Sequence, residues 1–74
     1  VALRGPVTGT TPNTSLTILE VPVDVSTSEF EDDSDNSVGA SAFFSAITIG
    51  STIVEVVGSY DGSLIAATET ELED

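Results

Sequence analysis

Apolar and polar residues alternate along five stretches of the chain, and this alternation predicts β-strands. The five predicted strands cover residues 1–10, 15–20, 21–27, 51–60 and 63–72. A period of two places one set of side chains in a core and the other toward solvent, which is typical of half-buried strands. Residues 51–60 are rich in β-branched side chains and form the strongest of these patterns. The chain is therefore predicted to be an all-β protein.

The same period predicts which side chains share a face of each strand. These sets are Val1, Leu3 and Val7, then Leu16 and Ile18, then Val21, Val23 and Val25, then Val54, Val56 and Tyr60, and finally Leu64, Ala66 and Leu72. The last set is predicted to point inward, with Glu69, Glu71 and Glu73 outward. Pro6 has no N–H to donate to a ladder, so the first strand is predicted to be an edge strand or to carry a bulge at Gly5.

The segment between the third and fourth predicted strands has two different halves. Residues 28–39 are polar and acidic with one apolar anchor, Phe30, and are predicted to form a loop. Residues 40–47 lose the alternation and surround two aromatic residues with small ones. They are predicted to form one or two helical turns that pack Phe43 or Phe44 under the sheet.

The turns complete a predicted topology. Gly50 is expected to end the helical segment, and Asp61-Gly62 predicts a type I′ hairpin between the last two strands. Three strands, a short helix and two strands are the element order of a small OB-like barrel. Residues 1–74 are therefore predicted to be a single small five-stranded β-barrel module with one short helical turn between strands 3 and 4.

The charge of the chain excludes several classes of partner. The 74 residues contain thirteen acids and a single basic residue, Arg4, for a net charge of −12. Nucleic acids and anionic membrane surfaces are bound by cations, so neither is an expected partner. No apolar run approaches the ~20 residues of a membrane-spanning helix. The partners expected are cations, neutral glycans and other protein surfaces, including copies of the chain.

Catalysis and cofactor binding are poorly provided for. The chain contains no His, Cys or Lys, so the common nucleophile and base constellations cannot form and it is predicted not to be an enzyme. Asp33 and Asp35 are the candidate calcium ligands, because alternate oxygen-bearing residues of a short loop suit this ion. The EF-hand pattern fails at Val38 and Phe44, and a solvated acidic loop without metal is the favoured interpretation.

Residues 13–15 read Asn-Thr-Ser, which is an acceptor sequence for N-glycosylation in a predicted exposed turn. Thr10, Thr11 and Thr14 lie around Asn13 and are candidates for O-glycosylation. The lack of Cys and Lys with abundant Ser and Thr fits an exported protein. An extracellular or cell-surface location is predicted.

Short motifs along the chain resemble a bacterial domain-of-unknown-function family. They are Arg4-Gly5-x-Val7, Leu16-Thr17-Ile18-Leu19, Val21-Pro22-Val23-Asp24-Val25, Gly50-x-x-Ile53-x-Glu55-Val56-x-Gly58, and the run from Asp61 to Ala67. The resemblance covers nearly the whole chain. It implies a small OB-like barrel that occurs as tandem modules in exported or envelope proteins, and it supplies no catalytic residues.

Joining the end of the sequence to its beginning gives a continuous strand-like run without a linker, and the chain begins at Val1 and contains no Met. These features predict a processed chain, or one unit of a longer one, although a single domain with ordinary terminal strands fits equally well. The expected function is a non-catalytic extracellular structural module, a repeat or fibre subunit assembled by head-to-tail strand contacts and carrying glycans. The alternative is a carbohydrate- or calcium-binding module that uses Tyr60, Phe30 and the acidic loop. A hydrolase with two catalytic carboxylates is the least favoured.

Overall fold

A computed structural model describes residues 1–73 of the chain. Its elements are β1 (Ala2–Thr11), β2 (Ser15–Ile18), β3 (Val21–Asp24), β4 (Glu29–Glu31), β5 (Ser37–Val38), α1 (Ala40–Ser45), β6 (Ile53–Tyr60) and β7 (Ile65–Leu72). Strands β1, β2, β3, β6 and β7 correspond to the five that alternation predicts. The acidic segment predicted to be a loop contains two further short strands, β4 and β5.

Strands β1, β2, β3, β6 and β7 close into a barrel. Antiparallel pairs join β1 to β2, β2 to β3, β1 to β6 and β6 to β7. A short parallel pairing of Val23 with Ile65 and of Asp24 with Ala66 joins β3 to β7 and closes the ring. Helix α1 lies between the third and fourth barrel strands. The small five-stranded OB-like barrel and the position of its helix are thus confirmed.

The core fills the barrel and continues under its open end. The buried apolar residues are Val7, Leu16, Ile18, Val23, Val25, Phe30, Phe43, Val54, Val56, Ile65 and Ala67. Phe43 is the largest fully buried side chain and Phe44 packs only partly against the core, so Phe43 is the residue that α1 inserts under the sheet. The rings of Phe30 and Phe43 lie 4.9 Å apart between centroids and tie β4 to α1.

Strand β1 is not the predicted edge strand, because it exchanges one partner for another along its length. Residues from Ala2 to Pro6 are in register with β6, and residues from Val7 to Thr11 are in register with β2. Pro6, which has no N–H to donate, therefore lies at the point where β1 stops pairing with β6 and starts pairing with β2. The bulge lies between Val7 and Gly9, three residues beyond the predicted position at Gly5.

The predicted inward face of β7 is partly wrong. Ile65 and Ala67 are buried, whereas Ala66 is exposed and Leu64 is half-buried just before the strand. Both odd- and even-numbered positions of this segment carry apolar residues, so alternation alone does not show which set faces the core. A register shift opposite Val57 determines which set does. Leu72, beyond this shift, does pack against the core as predicted.

The connection between β6 and β7 is not the predicted type I′ turn. That turn needs positive φ at both central residues, and only Gly62 has it, at +104°. Four residues join the strands instead, and the Asp61 carboxylate accepts hydrogen bonds from the backbone N–H groups of Ser63 and Leu64 at 2.9 and 2.8 Å. This side chain–backbone turn replaces the tight hairpin.

Candidate functional site

Five carboxylates form an acidic cluster, which comprises Glu31 on β4, Asp35 in the β4–β5 turn, Glu55 on β6, Glu71 on β7 and Glu73 directly after β7. Oxygen atoms of Glu31, Asp35 and Glu71 lie within 4.8 Å of one another, and so do those of Glu55, Glu71 and Glu73. The sheet register explains this proximity, because Glu71 on β7 is directly opposite Glu31 on β4 and Glu55 on β6. Directly opposed residues on one face have neighbouring side chains. Glu71 is the member that both groups share.

The electrostatics of the acidic cluster act mainly on Glu71. The pKa of Glu71 is raised from 4.5 to about 8. The largest cause is hydrogen bonding of its carboxyl group to Glu73, and the next is hydrogen bonding to Asp35. Desolvation and repulsion by the same two carboxylates raise the pKa further. A proton on Glu71 relieves the repulsion between adjacent carboxylates. The side chain of Arg4 lies 3.8 Å from Glu73 but is mostly exposed, so this ion pair contributes at most ~1 kcal/mol.

The structure separates the two predicted calcium ligands. Asp35 belongs to the acidic cluster, whereas Asp33 lines a neighbouring cleft of about 330 Å³ with Asp32 and Leu72. The acidic cluster is rich in the carboxylate oxygens that calcium prefers. Calcium binding stays a prediction. Its candidate ligands are now the carboxylates of the acidic cluster, which come together across strands, and no longer the pair Asp33 and Asp35, which are close in sequence.

Asp32 shapes the turn that carries these residues. Its carboxylate accepts hydrogen bonds from the backbone N–H groups of Asn36 and Ser34, both at 2.9 Å, and these bonds hold the pKa of Asp32 below its ordinary value. The chain reverses here with Asp35 at a positive φ of 64°. The acidic segment therefore forms a defined β4–β5 hairpin.

Glu55 is the member of the acidic cluster that lies outside the acidic segment 28–39 and outside the run of acids at residues 69–73. It is a charged residue within the most apolar strand, flanked by the buried Val54 and Val56. An isolated acid at the outward parity of such a strand is the signal that could have identified it. Its neighbours on β4 and β7 depend on strand order, which the alternation pattern does not contain.

The predicted glycosylation residues lie in and beside one exposed turn between β1 and β2. Asn13 has a φ of +65°, and Thr10, Thr11 and Thr14 are exposed beside it. The Thr14 N–H donates to the Thr11 carbonyl at 3.0 Å and closes the turn. Modification at these positions stays a prediction.

An apolar pocket of about 280 Å³ lies at the end of β6. Its lining consists of Val1, Ala2, Leu3, Val21, Tyr60 and Ile65. All six side chains are uncharged, and Tyr60 is 51% exposed at the rim, where its hydroxyl donates to the Gly62 carbonyl at 3.0 Å. Sequence reasoning identified most of these residues only as strand or core positions and missed the pocket.

The proposed contacts of the alternative binding module do not come together. Phe30 is buried in the core and cannot contact a ligand at the surface. Tyr60 ends β6, whereas Glu55 of the acidic cluster lies five residues earlier, about 17 Å along the strand. The strands that OB-type barrels use for ligands present Thr17, Pro22 and Asp24 outward, without an aromatic ring on which a sugar could stack.

Comparison of the chain with protein-family models, curated proteins and solved structures finds no match. Within residues 1–73, no helix has the length and apolar character needed to cross a membrane. The resemblance noted from the sequence motifs stays a prediction. A function for this chain therefore has to be argued from its own surfaces.

Proposed function

We propose that this chain is a non-catalytic extracellular structural module that packs end to end with copies of itself or with adjacent repeats. The observation that carries the proposal is the position of its two ends. Val1 accepts a hydrogen bond from the Gly58 N–H at 2.9 Å, whereas the Glu73 N–H donates to the Ile53 carbonyl at 3.0 Å. Five residues of β6 separate these contacts, which corresponds to about 17 Å.

A chain that enters at one end of β6 and leaves at the other suits modules arranged in line. Each of the five barrel strands has a partner on either side over at least part of its length, which limits the strand edge available for pairing between modules. Contacts between modules are accordingly assigned to the surfaces at the two ends of the barrel, a change from the strand contacts expected from sequence.

Composition and the exposed β1–β2 turn support the remaining parts of the proposal. The composition, without His, Cys or Lys, favours a role that needs no catalytic group. The exposed turn that carries Asn13, Thr10, Thr11 and Thr14 is sterically open to glycan attachment. The proposal therefore includes both glycans at this turn and an extracellular location for the module.

Small-angle scattering of two copies joined directly from Asp74 to Val1 tests the end-to-end arrangement. One copy has a radius of gyration of 10.6 Å and a long dimension of 30 Å. Two copies in line at that spacing give a radius of gyration of about 18 Å, whereas a compact body of the same total length gives about 15 Å. A value near 15 Å, or loss of cooperative unfolding in either copy, would contradict the proposal.

A further inference from the structure

We infer that the apolar pocket receives the Ile49 loop of a second copy, so that identical modules associate head to tail. The Ile49 loop comprises residues 46–52, between α1 and β6. This inference rests on the proposed function and names the two surfaces that meet. It commits to a second copy of this chain as the occupant of the pocket.

The Ile49 loop presents an apolar side chain on a braced backbone. Ile49 is 52% exposed. On either side of it, the Gly50 N–H donates to the Val7 carbonyl at 2.7 Å, and the Thr48 N–H donates to the hydroxyl of the buried Thr52 at 2.8 Å. A second bond, from the Thr52 N–H to the Thr48 carbonyl at 3.0 Å, closes the loop. The backbone that carries the exposed side chain is therefore braced before any contact forms.

The two surfaces lie at opposite ends of the same strand. The Ile49 loop directly precedes Ile53, the first residue of β6, and the pocket includes Tyr60, the last one. A contact between a loop at one end and a pocket at the other uses different surfaces on the two partners. Such a heterologous contact can repeat from copy to copy, as a row of modules requires.

The distribution of charge favours a second copy over other partners. The Ile49 loop contains no Asp, Glu, Lys or Arg, although the chain carries a net charge of −12. The side chains that line the pocket are uncharged as well, and the terminal ammonium of Val1 donates to the Gly58 carbonyl of its own chain. The adjacent Asp61 directs its carboxylate to Ser63 and Leu64 of its own turn. These surfaces are where two acidic copies can approach with the least repulsion. A basic partner would find no acidic side chain in the pocket.

The contact between separate copies is expected to be weak. One loop in one pocket is far smaller than the ~1,200 Å² that stable interfaces bury, so dissociation constants in the millimolar range are expected. Direct linkage of two copies supplies effective concentrations of that order. The contact would therefore act in a row of modules and be hardly populated in dilute solution.

Nuclear magnetic resonance with variants of each surface tests the inference. Amide spectra of the chain from about 0.05 to 2 mM, in enough salt to screen its charge, should shift at both the Ile49 loop and the pocket. Ile49→Asp removes the projecting side chain, and Ala2→Asp places a charge in the pocket at an exposed residue. Ser41→Asp adds the same charge at an exposed position of α1 and serves as the matched control. Each surface variant alone should lose the concentration-dependent shifts, and the control should keep them.

Mixing the two variants gives the decisive result. Isotope-labelled Ile49→Asp keeps an intact pocket, so adding unlabelled Ala2→Asp should restore shifts at the pocket and nowhere else. If Ala2→Asp loses its native spectrum, Tyr60→Ser takes its place as the pocket variant. Shifts that persist in both single variants, or a mixture that restores none, would overturn the inference. So would a wild-type chain without concentration-dependent shifts. The proposed function is judged separately, by the scattering of the joined copies.

Discussion

Gly58 provides the sharpest test of how closely β6 and β7 pack. A Cβ atom at this position would lie 2.1 Å from the Ala66 carbonyl oxygen and 2.8 Å from the Ala67 Cα, both of them backbone atoms of the neighbouring strand. Real Cβ atoms essentially never come within 3.0 Å of another heavy atom. The substitution Gly58→Ala therefore forces the two strands apart by roughly 1 Å, because a backbone cannot rotate away as a side chain can.

The magnitude follows from this displacement. A hydrogen bond of about 2.9 Å that lengthens by roughly 1 Å is lost, at about 1 kcal/mol for each ladder bond beside the substitution. Overpacking of a well-packed site adds about 1–3 kcal/mol. A total of about 3 kcal/mol is a large part of the ~4–11 kcal/mol expected for a domain of this size. The melting temperature should fall by roughly 12–24 °C.

Two other glycines act as matched controls for the same substitution. A Cβ at Gly9 meets only the Thr17 side chain, at 3.7 Å, which is an ordinary contact, so Gly9→Ala should be neutral or stabilise by about 0.4–1 kcal/mol. A Cβ at Gly5 lies 3.1 Å from side-chain atoms of Ile18 and Leu19, so Gly5→Ala should fall between the two. Urea unfolding followed by far-ultraviolet circular dichroism measures all three variants. Equal midpoints for Gly58→Ala and Gly9→Ala would refute the reasoning.

Three further predictions concern the core and the acidic cluster. Phe43→Ala should lower the free energy of unfolding by about 3–5 kcal/mol in the same urea assay, because it empties the space under the barrel; a loss below 1 kcal/mol would contradict that role. The folded pKa of Glu71 exceeds its unfolded value of 4.5, so stability should fall as pH rises from about 5 to about 8; Glu71→Gln should flatten this dependence and Glu69→Gln, on the same strand but outside the cluster, should not. If calcium binds at the acidic cluster, calorimetric titration at low salt should show a larger loss of binding for Asp35→Asn than for Asp33→Asn, and equal losses would exclude the cluster as the site.

The barrel was predictable because most of its strands follow one simple period. Leu16, Ile18 and Val23 lie where alternation places them, and all three are buried. The interruption of the period at residues 40–47 correctly indicated the helix that inserts Phe43. These features depend on local sequence, and a buried face imposes them strongly.

The acidic cluster and the apolar pocket could not be predicted in the same way. Glu31 and Glu55 approach Glu71 only because β7 runs between β4 and β6, and this order is a property of the closed sheet. Val21 and Tyr60 likewise come together through barrel closure. Sequence alone shows that such residues exist, and the pairing of distant strands decides which of them meet.

Charge also explains the irregularity in β7. Thr68 is the extra residue between the pairs Val57–Glu69 and Gly58–Ala67. Ile65 and Ala67 face the core before it, so uninterrupted alternation would turn Glu69 and Glu71 inward as well. Burying two carboxylates costs far more free energy than leaving one residue of a ladder unpaired. The extra residue reverses the alternation and so keeps both acids on the outer face.

The same irregularity accounts for the glycine beside it. A bulge bends its own strand and increases the local twist, so the approach of the two strands changes beside it. Gly58 is paired with Ala67 immediately next to the extra residue, and there the Ala66 carbonyl occupies the space that a side chain would need. The acidic composition of β7 thus has a consequence on the neighbouring strand. It requires a bulge at Thr68, and the bulge in turn requires glycine at position 58, two residues before the Tyr60 rim of the apolar pocket.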